Sequence, residues 1–202
     1  ANLDYKLREE LRAEIPKIFE ASGAIFVYAT TEPHEALLLG GNTACLWEGR
    51  VTQFGPTPSV YRRPTDATTA RVFSDPPMNF VTVSKTGDEL VIDDTHLSAE
   101  FPTFNRLAEG RYIAGFRANH LRIERGSARD LAFRCRVTGT EIAGSESFVH
   151  VLHGDERWVA LVHGVHDLPH QSDRTVFVDP AHVYIFAPDG ELACAAAYAD
   201  AG

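Results

Sequence analysis

The chain has 202 residues, of which 44% are hydrophobic and 23% are charged, an ordinary composition for a soluble globular protein. Its net charge of -9 disfavours a nucleic-acid partner, because binding of phosphate backbones requires clustered lysines and arginines. Three distant cysteines, Cys45, Cys135 and Cys194, argue against a disulfide-stapled secreted fold and favour a reducing cytosol. Since a membrane-spanning helix needs ~20 consecutive apolar residues, we expect no insertion into the membrane.

The first residues predict an alternation of helices and strands. Leucines and isoleucines that recur at helical spacing predict an amphipathic helix over Tyr5–Glu20. The apolar run Ala24–Tyr28 predicts a strand buried on both faces of a parallel sheet. A second helix is expected to start within Thr30–Pro33, with proline in its first turn, and to end at Gly40-Gly41.

A hairpin comes next in the chain. Ala44–Trp47 and Arg50–Phe54 flank Glu48-Gly49, a pair that resembles the Asp-Gly tight turn of two-residue hairpins. Two short helical stretches follow, at Pro58–Arg63 and Ala67–Phe73. The prolines Pro76-Pro77 then mark the candidate boundary between two domains, residues 1–80 and 81–202.

After this boundary the pattern changes to short strands. Val81–Lys85 and Glu89–Asp93 predict a hairpin across Thr86-Gly87-Asp88. The later predicted strands are Arg111–Phe116, Phe133–Thr138, Ser147–Leu152, Trp158–Val162, Thr175–Val178 and Val183–Phe186. Short strands at fairly even spacing, broken by Gly, Asp and Pro, indicate a small barrel or sandwich.

Little chemistry is visible in the residues alone. The sequence has no phosphate-binding Gly-x-x-x-x-Gly-Lys-Ser/Thr loop, no dinucleotide fingerprint and no Gly-x-Ser-x-Gly nucleophile elbow. Several histidines fall between His150 and His170, which suggests a metal site. No cysteine or paired carboxylate completes a set with metal-ligand spacing. We therefore predict scattered surface histidines and no metal.

Three segments of the first half match short motifs in a fixed order. The chain opens with Ala1-Asn2-Leu3-Asp4, Tyr28–Leu37 reads YATTEPHEAL, and Gly49–Gly55 reads GRVTQFG. These segments resemble the D-loop, the segment of the switch histidine and a further marker of one family, the ATP-binding subunits of bacterial ABC importers for sugars and polyols. The likeness runs along nearly the whole chain.

The second half continues this resemblance. Gly115–Leu121, Gly144–Val151 and Asp179–Phe186 are similar to three motifs of the OB-type regulatory domain, called TOBE, that follows the ATPase domain in this family. The resemblance implies an α/β fragment of an ABC ATPase domain over residues 1–80. An all-β OB-like (TOBE) barrel would follow over residues 81–202.

The resemblance also implies a function, the coupling of ATP hydrolysis to import of a sugar or polyol. In the family the phosphate-binding loop, the signature motif and the catalytic glutamate all precede the D-loop, at which this chain begins. We therefore expect ATP and Mg²⁺ in the full-length protein, and neither a cofactor nor hydrolysis in this fragment. The implied partners are transmembrane permease subunits and a second ATPase subunit, at the cytoplasmic face of the cell membrane.

One departure from the family pattern bears on mechanism. The family's switch histidine, which contacts the γ-phosphate, falls on Thr31, and Glu32 keeps the acidic neighbour. Because threonine is shorter and neutral, the resemblance implies an impaired site that pairs with a different, intact ATPase subunit, as in glycerol-type importers. The alternative is a tolerated substitution in a homodimer. The D-loop residues, Ala1, Asn2, Leu3 and Asp4, would reach the partner's nucleotide site.

A second interpretation comes from a different class of protein, a stand-alone regulatory or small-ligand-sensing module of the OB type. TOBE barrels resemble oxyanion-binding domains, but the acidic balance of residues 81–202 argues against an oxyanion ligand. A phosphate-binding loop and a signature motif encoded before Ala1 would favour the ATPase subunit. A natural start codon at that point would favour the module.

Overall fold

The computed structural model describes residues 14–15, 17–18, 22–87, 89–92, 95–97, 104 and 107–200 of the chain. The D-loop Ala1-Asn2-Leu3-Asp4 lies outside the described residues, as does most of the predicted helix Tyr5–Glu20. None of the helices in the described ranges is both long and apolar enough to cross a lipid bilayer.

Three helices and one hairpin lie within residues 33–72, close to their predicted positions. The helices are α1 (Pro33–Leu39), α2 (Thr57–Arg62) and α3 (Ala67–Val72). Helix α1 begins with proline in its first turn and ends at Gly40, whose φ of 70° an L side chain rarely adopts. Helix α3 is capped by Asp66, whose carboxylate accepts a hydrogen bond from the Thr69 amide at 2.6 Å.

The predicted hairpin is confirmed. Strand β1 (Asn42–Trp47) pairs antiparallel with β2 (Arg50–Pro56), and Trp47 lies opposite Arg50. The turn residues Glu48 and Gly49 both have positive φ, 48° and 76°. Two-residue turns of this kind need positive φ at both central positions, because only that twist matches the flanking strands.

The strand predicted over Ala24–Tyr28 is wrong. Residues 23–30 have no regular secondary structure, and Ile25 and Val27 are 97% and 94% exposed. A parallel strand forms only when neighbouring strands satisfy its backbone groups. Among the described residues no strand lies beside this segment, so its apolar character alone does not make it a strand.

The all-β prediction for the remainder is confirmed as a nearly closed, OB-like barrel. The strands are β3 (Asn79–Thr86), β4 (Glu89–Ile92), β5 (Thr95–Leu97), β6 (Gly110–Phe116), β7 (Leu121–Arg122), β8 (Leu131–Ile142), β9 (Glu146–His153), β10 (Glu156–His163), β11 (Asp173–Val178), β12 (Tyr184–Phe186) and β13 (Leu192–Cys194). They form a 5-stranded sheet in the order β10-β9-β8-β11-β7 and a 6-stranded sheet in the order β13-β12-β6-β3-β4-β5. The sequence pattern did not predict β5, β7 and β13.

One apolar core lies between the two sheets. Strand β8 shows how the sequence builds it, since Phe133 and Cys135 are buried and the alternating Arg134 and Arg136 are exposed. Trp158 is 1% exposed, and its indole nitrogen donates a hydrogen bond to the Phe80 carbonyl at 2.9 Å. The two sheets are therefore held together by packed side chains and by hydrogen bonds between them.

Two strand–helix–strand units pair with each other within the barrel. In the first, the 3-10 helix Ala118–His120 joins β6 to β7, and in the second, Pro180–His182 leads from β11 to β12. Strand β6 pairs with β12 and β7 pairs with β11, both antiparallel. The two units therefore contact each other through two antiparallel strand pairs.

Residues 184–196 pack against residues 65–78. The Leu192 amide donates to the Thr65 carbonyl at 2.9 Å, and the Ala67 amide donates to the Gly190 carbonyl at 2.8 Å. A small buried cluster crosses the same region and consists of Ala70, Met78, Tyr184, Phe186 and Ala196. The barrel and the helices before it are therefore in direct contact.

Candidate functional site

The segment around the predicted switch position precedes helix α1. Thr31 and Glu32 are both exposed. Behind them the Thr30 hydroxyl donates to Glu35 Oε2 at 2.5 Å, and the Tyr28 hydroxyl donates to the same oxygen at 3.1 Å. Glu35 is buried, at 8% exposure. The backbone that presents Thr31 is therefore held by a buried carboxylate in the first turn of the helix.

Glu35 lies within the motif segment Tyr28–Leu37, and the sequence alone predicted no role for its carboxylate. Its carboxylate organises the segment, because hydrogen bonds to a charged acceptor are stronger than neutral ones. The Thr30 hydroxyl also accepts a hydrogen bond from the Glu32 amide at 2.9 Å. The two hydroxyl residues ahead of a helical glutamate, at Tyr28 and Thr30, are the signal that could have revealed this arrangement.

The described residues around Thr31 do not by themselves fit a nucleoside triphosphate bound with Mg²⁺. Residues 24–40 contain no lysine or arginine, and the carboxylates of Glu32 and Glu35 lie on either side of His34 in the sequence. Phosphate groups require cationic or amide donors.

An apolar surface lies on the hairpin that follows α1. Leu46, Trp47, Val51 and Phe54 are 61%, 47%, 58% and 69% exposed, and Leu38 of α1 is 54% exposed. Contiguous exposed apolar residues are uncommon on monomeric soluble proteins and mark contact surfaces. The described residues leave this hairpin surface uncovered.

Arg117 links the barrel to the helices before it. Its side chain is 2% exposed and donates hydrogen bonds to the carbonyls of Tyr61 and Phe73 and to the hydroxyl of Ser74. Its guanidinium carbon also lies 3.7 Å from the centre of the Tyr61 ring. This arginine belongs to the segment Gly115–Leu121, and its role here is structural because every named contact lies within the chain.

His120 and His182 are each the last residue of the 3-10 helix in their strand–helix–strand unit. Their ring centroids are 4.0 Å apart, and Tyr198 closes the cluster at 5.0 and 4.9 Å. Burial, together with the nearby charges of His182, Arg117 and Arg122, lowers the pKa of His120 to about 3. Burial also lowers the pKa of His182. Both imidazoles are therefore neutral near pH 7 and contact each other as uncharged, tilted rings.

The histidines between His150 and His170 are dispersed. The His150 ring lies 3.1 Å from Glu141, and the His153 ring stacks on Trp158 with centroids 4.5 Å apart. The part of the chain that the structure describes holds no group of three or more His, Cys, Asp or Glu side chains arranged for a metal ion.

Comparison with known proteins points to one family. The chain is 29% identical over 204 residues to the uncharacterized ABC transporter ATP-binding protein YurJ of Bacillus subtilis. This alignment covers 96% of the present chain and 56% of YurJ. The chain is 31% identical over 191 residues to the sulfoquinovosyl glycerol transport ATP-binding protein SmoE of Agrobacterium fabrum, covering 92% and 52%. The sn-glycerol-3-phosphate import ATP-binding protein UgpC of Chromobacterium violaceum is 31% identical over 168 residues, covering 81% and 45%.

Among solved structures, the cytoplasmic molybdate-binding protein ModG superposes on 55% of this chain and 96% of its own, with 15% identity and a TM-score of 0.41. No protein-family model matches the chain. The chain spans about half the length of the curated relatives it matches. These similarities along nearly the whole chain make it a homologue of the ATP-binding subunits of ABC transporters.

Proposed function

We propose that this chain is part of the energy-coupling ATP-binding subunit of an ABC importer for a sugar or polyol. The observation that carries the proposal is the extent of the similarity, which covers 92% of the chain at 31% identity in SmoE. A single shared motif could arise by chance. Similarity that extends over both the α/β segment and the adjoining barrel supports the same order of domains in this chain and in SmoE. The subunit would work at the cytoplasmic face of the membrane, with permease subunits as its partners.

Within this proposal, residues 1–80 belong to the ATPase domain and residues 81–202 form the regulatory barrel. The D-loop Ala1-Asn2-Leu3-Asp4 would reach the nucleotide site of a second ATPase subunit. ATP and Mg²⁺ would be held mainly by residues of the full-length subunit that lie outside this chain. The absence of lysine and arginine from residues 24–40 supports the view that this chain alone does not hydrolyse ATP.

The uncovered hairpin surface supports the same proposal. The side chains of Leu46, Trp47, Val51 and Phe54 are all exposed on this hairpin surface, and burying apolar surface yields ~25 cal/mol per Å². The remainder of the ATPase domain in the full-length subunit would cover this face. The hairpin surface should consequently be more exposed in the 202-residue chain than in the full-length subunit.

Thr31 would face the γ-phosphate in this subunit, at the place of the family's switch histidine. Its hydroxyl is exposed and neutral, so it neither carries positive charge nor takes up a proton near pH 7. Glu32 would retain the acidic neighbour. We infer that the subunit hydrolyses ATP poorly at its own site and pairs with a second, intact ATPase subunit.

The decisive experiment measures ATP hydrolysis by the full-length subunit alone and together with its co-encoded ATPase and permease subunits. We expect slow turnover by the subunit alone, a higher rate in the complex and stimulation by the transported solute. The Thr31→His variant should raise the rate of the subunit alone, whereas the conservative Thr31→Ser variant should not. Rapid turnover by the wild-type subunit alone would contradict the impaired site, and failure to assemble with any permease would contradict the importer itself.

A further inference from the structure

Helix α2 lies between the barrel and the helix that follows the switch position. It has six residues, Thr57–Arg62. A rise of ~1.5 Å per residue makes it about 9 Å long. Its carboxyl end is bonded to side chains of the barrel, and its amino end is bonded to the end of α1. Helix α2 therefore contacts a different part of the chain at each end.

At the carboxyl end of α2, two barrel side chains bind backbone carbonyls. The last carbonyls of a helix have no amide partner within it. Arg117 donates to the Tyr61 carbonyl, and the Tyr184 hydroxyl donates to the Arg62 carbonyl at 2.9 Å. The Tyr198 hydroxyl extends this contact, since it lies 2.7 Å from that of Tyr184. Because Arg117 and Tyr184 are 2% and 0% exposed, loss of either donor would leave a buried carbonyl unsatisfied.

At the amino end of α2, the Thr57 hydroxyl holds the end of α1. It donates to the carbonyls of Gly40 and Gly41, at 3.1 and 3.2 Å, and lies 2.8 Å from the hydroxyl of Thr43. The Thr57 amide also donates to the Gly41 carbonyl at 3.0 Å. Gly40 caps α1, and Thr57 is 1% exposed. Thr57 therefore fixes α2 to the last residue of the α1 turn.

Apolar packing joins the same two helices. Val60 of α2 is buried in a cluster with Cys45 and Phe73, and Ala36 of α1 packs against that cluster. Side chains in a packed interior have few alternative arrangements, so this cluster restricts sliding of α2 past α1. We therefore expect α1 and α2 to move together.

Helix α1 carries this constraint to the switch position. Its first turn holds Glu35, which accepts hydrogen bonds from the hydroxyls of Thr30 and Tyr28. Thr31 follows Thr30 directly, so the placement of its backbone depends on α1. The contacts thus form one continuous series from the barrel to Thr31, through Arg117 and Tyr184, α2, Thr57, Gly40 and α1.

We propose that α2 transmits the position of the barrel to the switch position, with Thr57 as the positioning residue at its amino end. This role rests on the proposed function, because Thr31 bears on ATP hydrolysis only in an ATPase subunit. Coupling between distant sites is carried by packed side chains, hydrogen-bond networks and rigid secondary elements, and α2 combines all three. A regulatory signal that displaced the barrel would move α2 and thereby change the placement of Thr31.

Hydrogen exchange of the ¹⁵N-labelled 202-residue chain tests this link without nucleotide. Tyr184→Phe removes the hydroxyl bond to the Arg62 carbonyl and keeps the ring. We expect the amides of Gly40 and Thr57 to exchange at least about fivefold faster. The amide of Val149, in the barrel core, should change by less than about twofold, because the effect is local to the link.

A double variant tests whether both ends of α2 act on the same contact. Thr57→Val keeps the shape of the side chain and removes its hydroxyl, so it cuts the series at Gly40. In that background, Tyr184→Phe should add less than about twofold to the exchange rate of Gly40. Tyr112→Phe is the matched control, because it removes a hydroxyl bond to the Ala108 carbonyl elsewhere in the barrel and should leave the exchange of Gly40 unchanged.

In the full-length subunit, the rate gained by Thr31→His should depend on Thr57. Adding Thr57→Val should lower kcat at least about fivefold and leave the KM for ATP within about twofold, because a misplaced switch residue affects the transition state more than ground-state binding. Adding Thr57→Ser, which retains the hydroxyl, should preserve the gain. A role in stability alone would not separate kcat from KM.

Three exchange results would overturn the proposal: no change at Gly40 in Tyr184→Phe, equal acceleration of Gly40 and Val149, or independent effects of Tyr184→Phe and Thr57→Val. Equal loss of kcat with serine and with valine at position 57 would contradict Thr57 as the positioning residue. Failure of Thr31→His itself to raise the rate would contradict the impaired site of the proposed function. The exchange results would stand in that case, so the two ideas fail separately.

Discussion

The centroids of the His120 and His182 imidazole rings lie 4.0 Å apart, with the rings tilted by 38°, and each histidine is the last residue of a 3-10 helix between two strands. Burial and the positive charges of Arg117 and Arg122 oppose protonation of His120. Burial also lowers the pKa of His182, although the Asp179 carboxylate acts in the opposite direction. The contact therefore joins two sections of chain only while both rings are neutral.

Acid should destabilise the barrel through this pair. The pKa of His120 is about 3 in the folded chain and 6.5 in its ordinary state, so the unfolded chain binds the extra proton between these values. The contribution of His120 to stability should therefore be constant above pH ~6.5 and fall as the pH falls, by about 2 kcal/mol at pH 5. Urea unfolding at pH 7.5 and pH 5 measures this loss. The His120→Gln variant should lose most of the pH dependence, and His170→Gln, at an exposed position, should retain it.

Replacing Arg117 should destabilise the contact between the barrel and residues 61–74. Arg117→Met should cost about 3 kcal/mol of unfolding free energy, because it leaves the carbonyls of Tyr61 and Phe73 buried without their donor. Arg117→Lys should also destabilise, since one ammonium cannot span the same acceptors. Denaturant unfolding gives the values, and Arg129→Met, at an exposed position, should change stability by less than about 0.5 kcal/mol. Equal effects at the two positions would contradict the assigned contacts.

The chain's two tryptophans should report separate environments. Trp158 is 1% exposed and lies in the core, whereas Trp47 is 47% exposed on the hairpin. The Trp47→Phe variant should show blue-shifted fluorescence that acrylamide quenches weakly, because only the buried indole remains. The Trp158→Phe variant should show red-shifted, strongly quenched emission and a lower stability, since its indole hydrogen bond to Phe80 is lost. Similar quenching in the two variants would contradict the placement of Trp158 in the core.

The tight turn of the first hairpin should respond oppositely to two substitutions. Gly49→Ala should destabilise by about 1 kcal/mol, because alanine tolerates a φ of 76° poorly. Glu48→Asn should stabilise by a few tenths of a kcal/mol, since asparagine adopts a φ near 48° more readily than glutamate. Thermal unfolding of the two variants measures both effects. If Gly49→Ala were as stable as the parent chain, the turn would not have the conformation described here.

Local patterns predicted those elements whose geometry is decided within a few residues. The Glu48-Gly49 turn and the alternation along β8 are of this kind, because twist and pleat act between neighbours. Strand β7 covers only Leu121–Arg122 and β13 only Leu192–Cys194. Such short strands exist only through pairing with distant segments, so no local pattern predicts them. The failure at Ala24–Tyr28 has the same origin, since that apolar run lacks described strands beside it.

The candidate sites were predictable only in part. Motif resemblance selected Thr31 and Glu32, which the structure shows as exposed beside α1. It did not reveal the role of Glu35, because a buried carboxylate is recognised by its hydrogen-bond donors rather than by its place in a motif.

The pairing of β6 with β12 and of β7 with β11 has a consequence for synthesis on the ribosome, because the N-terminal strand of each pair emerges first. Strand β6 receives its neighbour β12 only after Phe186 has emerged, and Tyr184 then bonds through its hydroxyl to the carbonyl of Arg62, far back in the chain. Until that moment one edge of the 6-stranded sheet stays open. A nascent chain stopped before Tyr184 would therefore expose that edge to other chains, and the last few strands decide whether the barrel closes.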